Sequence, residues 1–148
     1  METIPRGTRP GDIAEVSLRE MVAHLNVIEA AIDAMSRQRE RDTGAPTRDL
    51  LNRLDLLAFC AARLRIADIP RVTDALSAVV LSAHVPPYRI DDIAATLRHG
   101  VDVLMLLTHD KMRRMQGYPA AELRPSIDAL LSRVDRVTTD RPAIPPPV

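Results

Sequence analysis

Apolar residues recur at three- and four-residue intervals along five separate stretches of the chain, which is the spacing of one face of an α-helix. No stretch of four to eight residues alternates between apolar and polar positions in the way that a half-buried strand does. The pattern therefore predicts five helices and no strand. Their apolar stripes centre on Leu25, Leu57, Leu76, Leu104 and Leu130.

Residues that start and stop helices divide the five stretches. We expect Asp12 to cap a first helix that runs to about Ser36, and Thr47 to cap the second. Asp68 and Pro70 end the second helix and begin the third, because Pro is tolerated in a first turn. We expect the third helix to end before Pro86-Pro87 and the fourth to run from Asp91 or Asp92 to near Gly117. The fifth is expected to begin at Pro125-Ser126.

Short connections between consecutive helices favour antiparallel neighbours. The sequence therefore predicts an all-α fold, an antiparallel four-helix bundle with an additional C-terminal helix, over residues 12–139. Residues 1–11 are predicted to be a flexible N-terminal arm, because they combine two prolines and two glycines. Residues 140–148 are predicted to be a disordered proline-rich tail.

Composition and charge narrow the possible classes of function. Twenty basic and twenty acidic side chains cancel, so the chain has no general attraction to nucleic acid or to an anionic membrane. The apolar run Val103–Leu107 is far shorter than the ~20 residues of a membrane span. The amino terminus has no apolar run typical of a signal peptide, and a single cysteine, Cys60, forms no internal disulfide. We expect a cytoplasmic protein.

The second and fourth predicted helices carry more apolar residues than one face needs. At about 100° per residue, Phe59 lies opposite Leu50, with Asp55, Leu56 and Ile66 nearby; a surface helix is normally polar there. Two interpretations remain open. Either both helices are buried on several sides, one of them beneath the fifth helix, or part of this surface binds a partner. The off-stripe apolar residues of the fourth helix are Val103, Leu106 and Leu107.

Three segments together resemble the histidine phosphotransfer (Hpt) domains of chemotaxis histidine kinases. "REMVAHLNVIEAAIDAM" (19–35) is similar to the first helix of that family, and "ADIPRVTDAL" (67–76) is similar to the entry of its third helix. "IAATLRHGVDVLMLL" (93–107) is similar to the fourth, with Asp102 in the place of a common acid. The resemblance covers residues 12–115 and implies an antiparallel helical bundle in a two-component or chemotaxis-like pathway.

The family's phospho-accepting motif, H-x-x-K-G, is replaced in this chain. Counting back from Asp68 places its His at Asp55, its Lys at Ala58 and its Gly at Phe59. Without the imidazole, the resemblance implies a pseudo-phosphotransfer module that transfers no phosphate, needs no cofactor and has no catalytic residue.

The resemblance further implies that the former reactive surface now binds a protein partner, either a response regulator receiver or a histidine kinase. One aromatic residue among aliphatic ones, bordered by charges, is typical of an interface hot spot. The predicted partner-binding residues are Asp55, Leu56, Phe59, Arg63 and Ile66. In the competing interpretation, Phe59 packs beneath the fifth helix or the first loop, and Asp55 pairs with Arg48 or Asn52. A stand-alone interaction protein, or a homodimer that uses the extra apolar faces, is the alternative function.

Other candidate chemistry is weaker. His109-Asp110 is similar to the doublet of metal-dependent His-Asp phosphohydrolases, for which His84 and Asp135 would have to supply the remaining ligands. None of the four histidines lies in the E-x-x-H arrangement of di-metal bundles, so we predict no metal site. Cys60 lies on an apolar helix and is expected to be a buried, unreactive thiol.

Overall fold

A computed structural model describes residues 10–37, 44–82 and 90–139. These residues form five α-helices and no strand, which confirms the predicted all-α fold. The predicted N-terminal arm (1–11), except its last two residues, and the predicted tail (140–148) lie outside the described residues. The helices are α1 (Pro10–Arg37), α2 (Gly44–Arg63), α3 (Asp68–Ser82), α4 (Ile90–Met115) and α5 (Arg124–Thr139).

Two helices begin earlier than their expected caps. The helix α1 starts at Pro10 rather than after Asp12, and α2 starts at Gly44, three residues before Thr47. The prediction that Thr47 caps α2 is therefore wrong, because the helical backbone already includes this residue. Its side chain is buried, and its hydroxyl has no hydrogen-bond partner in the part of the chain that the structure describes.

The turn between α2 and α3 is a Schellman motif, a helix end in which two amides fold back onto the last carbonyls. The amide of Ile66 donates to the carbonyl of Ala61 (3.0 Å), and the amide of Arg65 donates to that of Ala62 (3.1 Å). Arg65 has a φ of 59°, in the left-handed region. The hydrophobic contact typical of this motif joins its first and last residues, and Ala61 and Ile66 are both buried here.

Four helices close into a bundle, and the fifth is added to one side. The helix α1 packs on α2 and α4, and α3 packs on the same two helices, so that α1 to α4 form a closed ring. The helix α5 packs on α3 and α4. Pairing of His24 with Arg53, and proximity of Glu20 to Cys60, show that α1 and α2 run antiparallel. Arg98 on α4 pairs with Asp33 on α1 at 2.9 Å.

The core is built from aliphatic side chains and methionine, as the scarcity of aromatic residues requires. On α1 the fully buried face includes Met21 and Ile28, whereas Val22 is half-buried. Gly100 lets α4 approach α3 closely: a β-carbon added there would lie 2.6 Å from Cδ1 of Leu76. The glycine is therefore required by packing rather than by backbone conformation.

A second Schellman motif ends α4. Gly117, with a φ of 95°, occupies the left-handed position, and the amide of Tyr118 donates to the carbonyl of Arg113 at 3.0 Å. The Arg113 guanidinium lies 4.5 Å from the centre of the Tyr118 ring, so a cation–π contact joins the residues that usually make a hydrophobic contact. In the described ranges, no helix combines the length and the apolarity that crossing a membrane requires.

Candidate partner-binding surface

The outward side of α2 exposes a phenylalanine to solvent. Phe59, the one phenylalanine of the sequence, is 63% exposed, and Leu56, one turn before it, is 46% exposed. Asp55 and Arg63 are exposed beside them. The prediction that these four side chains face outward is confirmed. We call them the α2 surface: Asp55, Leu56, Phe59 and Arg63.

Ile66 does not belong to this surface. It is only 4% exposed and is part of the core. The helical spacing that placed Ile66 beside Phe59 does not apply, because α2 ends at Arg63 and the left-handed conformation of Arg65 turns the chain inward. The prediction that Ile66 is an outward-facing binding residue is therefore wrong, and its role is to close the Schellman motif over Ala61.

The position of α5 explains why Phe59 is exposed. Among the described helices, α2 contacts only α1 and α3, whereas α5 contacts α3 and α4. Phe59 is therefore not covered by the fifth helix. The first loop, the other predicted cover for Phe59, falls on residues 38–43 and lies outside the described residues. The Asp55 carboxylate has no hydrogen bond or ion pair within the described ranges, so the pairing with Arg48 or Asn52 that belongs to the competing interpretation is not found there.

On α4, by contrast, part of the extra apolar surface is buried. Val103 and Leu107 are nearly inaccessible, while Leu106 is 47% exposed. His99 lies on the α5 side, where its Nδ1 is 3.4 Å from the Arg133 guanidinium. The interpretation as a helix buried on several sides therefore holds for α4, which packs on α1, α3 and α5. The extra apolar face of α2 is exposed, and its binding of a partner stays a prediction.

The helix α1 borders the α2 surface, which the sequence did not reveal. Nδ1 of His24 lies 3.0 Å from the Arg53 guanidinium, so the ring nitrogen accepts a hydrogen bond from α2. Val16 and Val27 on α1 are 55% and 40% exposed. The available signal was their position: both lie about half a turn from the buried stripe of α1, where polar residues are expected.

Cys60 lies between α1 and the α2 surface, with charges of both signs nearby. Its side chain is half-buried rather than fully buried as expected. Burial raises the pKa of the Cys60 thiol, the carboxylate of Glu20 raises it further, and Arg63 lowers it. The thiol form is therefore favoured at neutral pH, which agrees with the predicted low reactivity.

Asp110 of the His-Asp doublet is engaged in the loop that joins α4 to α5. One carboxylate oxygen accepts the amide hydrogen of Ala121 at 2.8 Å, and the other pairs with Nε of Arg114 at 3.0 Å. His84, a nominated ligand of the doublet, lies outside the described residues. Within the described part of the chain, no three His, Cys, Asp or Glu side chains gather where a metal ion could bind.

Comparison with known proteins adds no relative to this description. No protein-family model, curated protein or solved structure matches the chain. What the α2 surface can do therefore follows from its own chemistry. It combines a large apolar side chain, a smaller one and two charges of opposite sign on a rigid helix, which suits contact with another protein.

Proposed function

We propose that this chain is a non-catalytic, Hpt-like binding module of a two-component or chemotaxis-like pathway, which binds a protein partner through the α2 surface. A response regulator receiver or a histidine kinase is the proposed class of partner, and a cytoplasmic setting is part of the proposal. The single observation that supports it most is the 63% exposure of Phe59 on a helix that α5 leaves uncovered.

The chemistry of the surface supports binding rather than phosphate transfer. Ala58 and Phe59 take the positions of the Lys and Gly of the H-x-x-K-G motif, and the carboxylate of Asp55 takes that of the imidazole. Aspartate accepts phosphate in receiver domains with the help of a metal ion and further acids. Asp55 instead provides one edge of an apolar contact, with Arg63 at the other.

The experiment that tests the proposal is affinity capture from the source cells with three baits: the wild-type chain, Phe59→Ala and Leu81→Ala. Leu81 is 56% exposed on α3, so its variant removes similar apolar surface away from α2. We expect mass spectrometry to show a two-component protein captured by the wild type and Leu81→Ala but lost with Phe59→Ala.

With that partner purified, calorimetry should give a Kd at least about 30-fold weaker for Phe59→Ala, as for a hot-spot aromatic residue. Phe59→Ala should keep the helical circular dichroism of the wild type, since its side chain lies outside the core. Equal capture by Phe59→Ala and the wild type would refute the α2 surface. Transfer of radiolabelled phosphate from a phosphorylated kinase to the chain would refute the non-catalytic assignment.

A further inference from the structure

A pocket of about 360 Å³ opens at one end of the bundle and is lined by residues other than the four of the α2 surface. The turn after α2, the start of α3, the last turns of α4, the α4–α5 loop and the start of α5 line it. This volume lies at the lower end of the range for small-molecule sites. Asp110 of the His-Asp doublet also lines the pocket, but none of the four residues of the α2 surface does, so inferences about the pocket do not depend on that surface.

The floor of the pocket is apolar. Ile66, Leu107 and Ile127 line it, and each is about nine-tenths or more buried, so their accessible atoms face the pocket. These residues come from three different parts of the chain and all belong to the core, so the floor of the pocket is a part of the core. A ligand that lies here gains from covering apolar surface.

Charged side chains of both signs surround this floor, and several of them are already engaged. Asp110 is held by Arg114 and by the amide of Ala121. Glu122 accepts the amide hydrogen of Arg124 at 3.1 Å. These contacts hold the α4–α5 loop in place, so Asp110 and Glu122 have a structural role.

Other charges that line the same pocket have no partner among the described residues. The guanidinium groups of Arg65, Arg71 and Arg124, and the carboxylates of Asp68 and Asp128, make no ion pair or side-chain hydrogen bond within the described ranges. Hydrogen-bond donors and acceptors therefore both remain available along the lining of the pocket.

We propose that the pocket binds a zwitterionic small molecule, an α-amino acid with an apolar side chain. Its carboxylate would pair with the guanidinium groups of Arg65, Arg71 and Arg124, which suit a carboxylate with two parallel hydrogen bonds. Its ammonium group would pair with Asp68 or Asp128, and its side chain would cover Ile66, Leu107 and Ile127. A simple anion would leave both carboxylates unpaired beside it, and a simple cation would leave three guanidinium groups unpaired.

The test is a titration of the full chain with L-leucine, followed by backbone amide chemical shifts in two-dimensional NMR. Two matched probes each lack one charge: leucinamide has no carboxylate, and N-acetyl-leucine has no ammonium group. We expect saturable shifts at Ala120, Leu123 and neighbouring amides with leucine. Both derivatives should bind at least about tenfold more weakly, because each loses a charge-assisted pair.

Variants localise the effect. Arg71→Gln and Asp128→Asn should each weaken leucine binding at least about tenfold, whereas Arg136→Gln, an exposed arginine of α5 that does not line the pocket, should leave it unchanged. Both pocket residues are exposed, and unchanged shifts elsewhere in the spectrum confirm that each variant is folded. Absence of leucine shifts, or equal binding of N-acetyl-leucine and leucine, would overturn the proposal.

Discussion

Arg65 holds a backbone conformation that proteins most often give to glycine. Its φ of 59° is the left-handed region, which costs an L-residue about 1–2 kcal/mol. The equivalent position at the end of α4 is occupied by Gly117, for which that conformation carries no such cost. The two helix ends share one hydrogen-bond pattern, so they allow a matched comparison.

We predict that Arg65→Gly raises the free energy of unfolding by about 1 kcal/mol, because glycine relieves the left-handed strain. Gly117→Ala should lower it by about the same amount, for the opposite reason. Urea unfolding followed by circular dichroism measures both changes. A lower stability for Arg65→Gly would contradict the Schellman geometry assigned to the end of α2.

The charges beside Cys60 make its reactivity adjustable in both directions. The pKa of Cys60 is raised in the folded chain. The protonated thiol therefore stabilises the fold fully at a pH below the ordinary cysteine pKa, and this stabilisation is lost as the pH rises through the pKa of the folded chain. We predict that Glu20→Gln speeds alkylation of Cys60 by iodoacetamide at pH 8, and that Arg63→Gln slows it. Rates followed by intact-mass spectrometry test this, with urea-unfolded chain as the reference. Changes of the same sign in both variants would contradict the assigned causes.

At the scale of elements, the contact between α3 and α4 depends on the missing side chain of Gly100. Alanine favours a helix by about 1 kcal/mol over glycine, but overpacking a core costs about 1–3 kcal/mol. Leu76, which the added methyl group would meet, is 1% exposed and has little room to move.

We therefore predict that Gly100→Ala lowers the free energy of unfolding by about 1–2 kcal/mol, despite its better helix propensity. In a Leu76→Val background the same substitution should become neutral or stabilising, because the valine removes the δ-carbons that clash. Urea unfolding of the four proteins in a double-mutant cycle measures the coupling. Additive effects would show that the two helices do not meet at these residues.

Sequence spacing was sufficient for the existence and type of all five helices, and less so for their ends. The chain after Arg63 illustrates the reason. No glycine or proline marks the end of α2 before Asp68, so the spacing of apolar residues ran on to Ile66 and placed it on the outward face. The hydrogen bonds that end α2 involve backbone atoms only, and the sequence carries no side-chain signal for them.

For the whole molecule, the sequence identified which helices have excess apolar surface but not which of them α5 covers. Phe59 on α2 and Val103 on α4 lie at comparable angles from the main stripes of their helices. Only packing distinguishes them. The helix α4 has α1, α3 and α5 as neighbours, and Val103 is buried, whereas α2 has only α1 and α3 among the described helices, and Phe59 is exposed. The pocket was equally beyond prediction, because its lining comes from separate turns that only the folded bundle brings together.

The stacking of Arg113 on Tyr118 gives the protein a natural optical reporter. The sequence contains no tryptophan and two tyrosines, so ultraviolet emission is not dominated by an indole. With Tyr88 replaced by phenylalanine, the remaining emission comes from the ring of Tyr118, which the Arg113 guanidinium covers at the start of the α4–α5 loop. Its intensity and lifetime would follow the opening of that connection directly, without any attached dye.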